Sequence, residues 1–467
     1  MINQMLDYLV KIYRLLEARA PIKASKGRGL VSKLFPSLAL RAGSIYRAQV
    51  STLPKSLHIS AGSEAELDSI YENLAVEYKN EAVRAFSQAA MVVVGVLPPN
   101  TSSIAKYNYQ VFGKIEKCFF ISPTVSLQNA NLLTKFSKAF FCPLTEDDIE
   151  KFSGAQKFGI LTLGNSPEHL KSIPLFSSMI ERAVVKDYSL ELHDVDIDWI
   201  MRLLMGEATV SILNSTFFEQ NENVQTDHTK GLLGLPTLFE VLGQPKSIIV
   251  HTSLGREMIF GVLKIMGLDI PVHVVEIPHI DSILAFEKAI AKTKKPNEII
   301  TFGTFGYPAK HKELELTYGF LCEARKLGKT FEWVVAGRNV DEYFASNGMF
   351  GDWIRFYNKP TDSELIELMA SVDFGLQFRF SPMGEASGIC TQLEMLCIPY
   401  AYSSCTSWSS FNQLSMPILS ESHLFESMKE IFELASTSFN NPVRRLEKEK
   451  MRSPDMTAEA IVEAVNE

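Results

Sequence analysis

Residues 378–403 read FRFSPMGEASGICTQLEMLCIPYAYS. The apolar run Val372 to Phe378 leads into them and reads as a strand. A polar loop follows, then a helical pattern that Pro399 stops ahead of another apolar run. Such a strand, loop, helix and strand make one parallel βαβ unit. The loop holds Arg379, Glu385 and the pair Ser387-Gly388, with Ala386 and Ile389 beside them. A helix N-terminus presents unpaired N–H groups and a partial positive charge. Gly388 lets an anion approach that backbone closely, which makes a phosphate seat. Arg379 would neutralise part of a diphosphate. Glu385 has the wrong charge for that task and suits hydrogen bonds from sugar hydroxyls. Diphosphate and sugar together describe a nucleotide sugar.

The same alternation runs outward in both directions. From about residue 88 the apolar runs AAMVVVGVL, KCFFIS, KAFFCPL, FGILTLG, YSLELHD, KSIIVHT and VHVVEIPHI read as strands. Helices pass through Tyr107 and Phe112, from Ile197 and from Leu254. After the charged stretch KAIAKTKKPNE the pattern restarts with IITFGTFG, FEWVVAG, IRFYN and VDFGLQF, with helices near 311–327 and from Ser363. Two such blocks predict an α/β chain with two doubly wound, Rossmann-like domains facing a central cleft. The expected division is a helical, basic extension over 1–87, a first domain over 88–280 and a linker over 281–297. A second domain over 298–440 and terminal helices over 441–467 complete it.

Polar outliers collect just after the strands. They are Pro98 to Ser103, Gly164, Asn165 and His169, His193 and Asp194, and Thr252 and Ser253. In the second half they are Thr304, Gly306 and Lys310, Gly337 and Arg338, then Arg379, Glu385, Ser387 and Gly388. Strand carboxyl ends are where such sheets bind ligands. Each residue also has a plain reading. His193-Asp194 equally caps a helix starting near Ile197, Lys310 and Arg338 equally lie on solvated surface, and Glu385 fits ordinary N-cap chemistry.

These stretches resemble the GT-B retaining glycosyltransferases, the family that includes sucrose synthase and many bacterial mannosyl- and glucosyltransferases. The resemblance covers roughly residues 90–435. FRFSPMGEASG with its following CIP is similar to the R-x-P-T-x-G-E-x-S-G … G-x-P segment of one branch. LPPNTSSIAKYN resembles the P-P-x-x-S-G-I-A-x-Y acceptor loop. LTLGNSPEH and LELHD resemble GN-x-x-x-H and LHD. IIVHTSLGREMI and VEIPHID resemble the branch's VHS strand and IPH linker. TFGTFGYPAKHKE resembles the FG-x-x-x-x-K donor loop. The resemblance implies transfer of a sugar from a nucleotide-diphosphate sugar to a glycan or lipid-linked acceptor, with retention and without metal or other cofactor. It implies donor contacts from Gly306, Lys310, Arg338, Arg379, Glu385, Ala386, Ser387, Gly388, Ile389 and Gln392. Acceptor contacts fall on Ser102, Ser103, Asn165 and His169, and catalytic roles on His193, Asp194 and Glu385.

The sequence departs from the pattern in places. Gln392 stands where the wider family has a second, ribose-binding glutamate, and Glu394 lies two places on, about 200° round the helix. Thr304-Phe305 replaces a usual arginine, and Ser103 a usual glycine. A non-catalytic GT-B-like subunit that binds glycan or nucleotide is therefore the alternative. A sugar-nucleotide epimerase would need a set of carboxylates that the sequence does not supply.

At 467 residues the chain is 46% hydrophobic and 21% charged, an ordinary globular composition. Residues 1–60 carry ten Lys/Arg against two Asp/Glu, a net +8. The remainder carries 36 against 52, a net −16, which argues against nucleic acid as a partner. Met5, Leu6, Leu9, Ile12, Tyr13 and Leu16 form a helical stripe ahead of Lys23, Lys26, Arg28 and Lys33. That segment suits either packing on its own protein, or an anionic membrane surface or protein partner. Six scattered cysteines, no apolar run near 18 residues and no secretory leader pattern suit a cytoplasmic protein, peripheral at the inner face of the membrane in the second reading.

Overall fold

The computed structural model describes residues 78, 80–98, 103–123, 125–144, 146–164, 167–194, 201, 234–278, 283–292, 299–308, 312–379, 386–403, 415–440 and 452–467. The N-terminal stripe and basic stretch lie outside them, as do Ser102, Asn165, Lys310 and Glu385.

Seven strands form the first sheet. They are β1 (Met91–Val94), β2 (Cys118–Ile121), β3 (Phe140–Cys142), β4 (Lys157–Leu163), β5 (Val185–Leu192), β6 (Ser247–Val250) and β7 (Val272–Val274). All pair in parallel, in the order β3-β2-β1-β4-β5-β6-β7. Helices cover both faces, so the strands read as continuous apolar runs such as MVVV and CFFI, every residue of the latter buried. Phe112, Phe119, Phe120, Phe141 and Phe176 fill the core. Tyr78, Ala82 and Phe86 join it, so this core reaches back before residue 88.

The second sheet holds β8 (Ile300–Phe305), β9 (Phe331–Gly337), β10 (Ile354–Asn358), β11 (Phe374–Gln377), β12 (Tyr400–Ser403) and β13 (Ser415–Ile418). Its order is β10-β9-β8-β11-β12-β13, again all parallel. Fully buried Trp333, Phe302, Phe331 and Phe344 anchor it. The segment expected as a linker contains the Ile283–Lys292 helix, whose Phe286 and Ala289 pack with Ile366 and Met369 of the second sheet's layer. Its apolar face, rather than its charged end, decides where it goes.

At its C-terminus the chain returns to the first sheet. Ser453 caps the Pro454–Asn466 helix and Pro454 opens it, a favoured arrangement. Ala458, Ile461 and Ala464 pack into the first core. Arg452 pairs with Glu276 at 3.1 Å, fixing the return. Among the described residues no helix is long and apolar enough to cross a membrane. Cys118, Cys142, Cys322 and Cys390 are free thiols.

In both sheets the strand order reverses once, between β1 and β4 and between β8 and β11. A reversal leaves a crevice at the carboxyl ends of the two strands, because their connections leave on opposite faces.

Candidate functional site

The described residues among those singled out from sequence lie at these reversals and beside them. Ser103 opens the Ser103–Phe112 helix after β1, and Gly164 and His169 follow β4. A Cβ on Gly164 would lie 2.1 Å from Ile104 Cδ1 and 3.2 Å from Asp194 Oδ2, so a larger residue there requires the Ile104 side chain to move. His169 is fully buried, and its Nδ1–H donates to the Thr162 carbonyl at 3.2 Å. Burial holds its imidazole down at about 4, with the charge of Asp194 opposing. His193 and Asp194 follow β5. The His193 N–H donates to Leu163 O at 2.8 Å, extending the sheet by one bond. The helix expected from Ile197 begins outside the described residues.

On the second sheet Gly306 follows β8 with φ +112°, a left-handed conformation that favours glycine. Its N–H donates to Ala336 O at 2.9 Å, and a Cβ on Gly337 would lie only 1.9 Å from its carbonyl oxygen. The two glycines thus let the chain after β8 fold flat against the end of β9. Exposed Arg338 follows Gly337. Arg379 follows β11, and its N–H donates to Ser403 Oγ at 2.5 Å. Burial pushes its guanidinium down to about 10, with the charge of Asp194 opposing, so it stays protonated at neutral pH. Ser387 caps the Gly388–Met395 helix by accepting from Cys390 N at 3.3 Å. Gly388 is exposed, and among the described residues a Cβ there would meet nothing within 4 Å. Ala386, Ile389 and Gln392 sit half-buried around this turn.

The two rims face each other. Lys106 Nζ, on the helix after β1, lies 2.7 Å from Asp362 Oδ2 on the Asp362–Ser371 helix of the second sheet. Asp194 of the first rim acts electrostatically on Arg379 of the second.

Two departures acquire a structural account. Thr304 Oγ1 donates to Leu376 O and accepts from Trp333 Nε1, each at 3.0 Å, so its hydroxyl serves the sheet. Glu394 is buried and accepts from the Tyr400 hydroxyl, facing away from Gln392.

Behind the first rim lies a buried polar cluster that the sequence reading did not single out. Tyr107 donates to Glu191 Oε1 at 2.7 Å. His193 Nε2 lies 3.9 Å from Glu191 Oε2, and His251 Nε2 lies 3.7 Å from Glu191 Oε1. The His193 ring is therefore mostly enclosed, its Nε2 turned inward, whereas the catalytic role implied by the resemblance would need the ring in the cleft. Burial raises the Glu191 carboxyl to about 8 and lowers both imidazoles, His251 to about 4. A signal was available. In LELHD, Glu191 and His193 are two apart in an extended segment and so share a face, and a glutamate in a fully buried strand needs a partner.

No protein-family model and no curated relative matches the chain. Solved structures do. The Anabaena protein HepE, in complex with UDP, aligns over 80% of this chain and 99% of its own, with a TM-score of 0.52 at 9% identity. Sucrose-phosphate synthase from Thermosynechococcus elongatus aligns over 80% and 94%, with a TM-score of 0.49 at 8% identity. A trehalose 6-phosphate synthase from Burkholderia multivorans aligns over 81% and 98%, with a TM-score of 0.48 at 9% identity. The fold of this chain is GT-B: two parallel Rossmann-like sheets with their carboxyl ends opposed.

Proposed function

We propose that this GT-B chain transfers a sugar from a nucleoside-diphosphate sugar to a glycan or lipid-linked acceptor, with retention at the anomeric carbon and no metal on the diphosphate. The observation that carries the reading is the capped helix start at Ser387-Gly388, where none of the described residues would meet a Cβ on exposed Gly388 within 4 Å, with protonated Arg379 at the same reversal. An anion fits there for physical reasons that do not depend on family. Uridine diphosphate is the first nucleotide to test, because HepE was solved with UDP.

The chemistry follows from charge. The glycosidic bond to phosphate lengthens, the sugar becomes oxocarbenium-like, and negative charge grows on the leaving diphosphate. The N–H groups at Gly388 and Ile389, with Arg379, Lys310 and Arg338, stabilise that charge. Glu385 holds sugar hydroxyls. The His193 backbone carbonyl and Asp194 face the sugar from the first rim. The acceptor, held near Ser102, Ser103, Asn165 and His169, attacks from the leaving-group face and gives its proton to the departing phosphate. No protein nucleophile is needed.

One observation favours the second reading, a non-catalytic subunit. Thr304 is committed to Leu376 and Trp333, so the β8 loop lacks the cation usual at that point. Thermal-shift screening against UDP-, GDP-, ADP- and dTDP-sugars, followed by assay of released nucleotide, separates the two. Binding without release under any acceptor supports the subunit. Release supports the enzyme, and the anomer of the product by NMR tests retention.

A further inference from the structure

The Glu191 cluster poses a problem of electron pairs. His251 Nδ1 lies 2.7 Å from the Val275 carbonyl, which only accepts, so the ring proton sits on Nδ1. Neutral His251 therefore turns the Nε2 lone pair toward Glu191 Oε1, 3.7 Å away and beyond hydrogen-bond reach. Glu191 Oε2, His193 Nε2 and His251 Nε2 are all buried without a hydrogen-bond partner. The side chains of Glu191, His251 and His193 are 0%, 1% and 8% exposed. Three buried polar groups that meet at 3.7 and 3.9 Å with no hydrogen bond made between them are costly.

Their arrangement is that of a ligand set. The three atoms lie within 4.8 Å of one another, with two of the separations at 3.7 and 3.9 Å. Bonds of about 2.0–2.2 Å to a tetrahedral ion put neighbouring ligand atoms about 3.2–3.6 Å apart. Rotamer shifts of a few tenths of an ångström to about one ångström close that difference. The outer partners match as well. Ligating histidines donate their other N–H to a carbonyl, as His251 does to Val275, and ligating carboxylates are themselves hydrogen-bonded, as Glu191 is by Tyr107. The negative charge of Asp194 acts on His251, while nearby Arg452 is paired with Glu276. Two imidazoles and one carboxylate suit a zinc-type ion rather than magnesium or calcium, which prefer all-oxygen sites.

We propose that Glu191, His193 and His251 bind one divalent first-row transition cation, distinct from any donor diphosphate. It ties the end of β5 to the end of β6 and holds the His193 ring inward, leaving the residue's backbone to face the cleft.

The test uses the full chain, stripped with chelator and dialysed, then titrated with Co2+ and Zn2+ at neutral pH by calorimetry and visible absorption. The expected result is one equivalent bound, with cobalt d–d bands that Zn2+ displaces. Glu191→Gln and His251→Gln should each weaken binding by about 100-fold or more, since loss of outer partners alone costs 10–100-fold. His423→Asn, on the Glu421–Glu426 helix beside the second sheet, should bind as wild type does. Absence of binding to wild type, or equal binding by both ligand variants, overturns the proposal. If those variants do not fold, X-ray absorption at the zinc edge of the wild-type protein decides. Two imidazoles and a carboxylate support it, and any other ligand set overturns it. A protonated-carboxyl infrared band that persists under saturating Zn2+ means that a proton bridges the cluster, and also overturns it.

Discussion

Gly388→Ala separates ligand binding from folding. Gly388 is the first residue of its helix, and an added Cβ meets none of the described residues within 4 Å. Gly388 is also absent from the residues of positive φ, so alanine adopts the same backbone. The folded chain therefore accepts the methyl, and the unfolded chain loses freedom, for a gain of about 0.4–1 kcal/mol. A phosphate seated on the same N–H groups meets that methyl instead. Displacing it costs at least one hydrogen bond to a charged group, about 1.5–3 kcal/mol. At 1.36 kcal/mol per tenfold, affinity for a nucleoside diphosphate falls roughly 10- to 150-fold. Calorimetric titration gives the affinity and thermal melting the stability. Raised or unchanged melting with weakened binding is expected. Equal nucleotide affinity in the two proteins would refute the phosphate seat, and a large drop in melting would refute the open space above Gly388.

Arg379→Ala should weaken diphosphate binding by about 1.5–3 kcal/mol, measured by the same titration at fixed salt. Gly337→Ala should behave oppositely to Gly388→Ala, because its Cβ would collide with the Gly306 carbonyl at 1.9 Å; lower melting and weaker nucleotide binding together are expected. His169 is held at about 4 in the folded chain against 6.5 unfolded, so its contribution is intact above pH 6.5 and lost as pH falls toward 4. About 2.5 units at 1.36 kcal/mol each make that loss about 3 kcal/mol. His169→Asn keeps a donor for Thr162 and should flatten the acid slope of stability between pH 6.5 and 4; parallel slopes in the two proteins would contradict it.

Most of the fold was legible because parallel strands are buried on both faces. MVVV, CFFI and FEWVVAG stand out against any surrounding pattern. β13 was not. It has only Met416 and Ile418 buried, carries Pro417, and sits at a sheet edge, where proline is tolerated and where a sequence reads as a break. The docking of the Pro454–Asn466 helix on the first sheet was equally hidden, since its Ala458, Ile461 and Ala464 stripe suits either core. For the site, loop position was readable from the order of strands and polar residues. Side-chain direction was not. The catalytic role implied for His193 needs it in the cleft, but Glu191 on the same strand face, with Tyr107 and His251 from remote parts of the chain, holds its Nε2 inward.

The central claim is that this cleft binds and activates a nucleotide sugar. The most direct measurement is release of nucleoside diphosphate from UDP-, GDP-, ADP- and dTDP-sugars by the full chain, with Glu385→Ala alongside. The account predicts that one donor raises Tm and releases its diphosphate, by transfer or by slow hydrolysis. Glu385→Ala should keep its melting temperature and lose turnover. Failure of every donor to bind or to release diphosphate, or full turnover by Glu385→Ala, would contradict it.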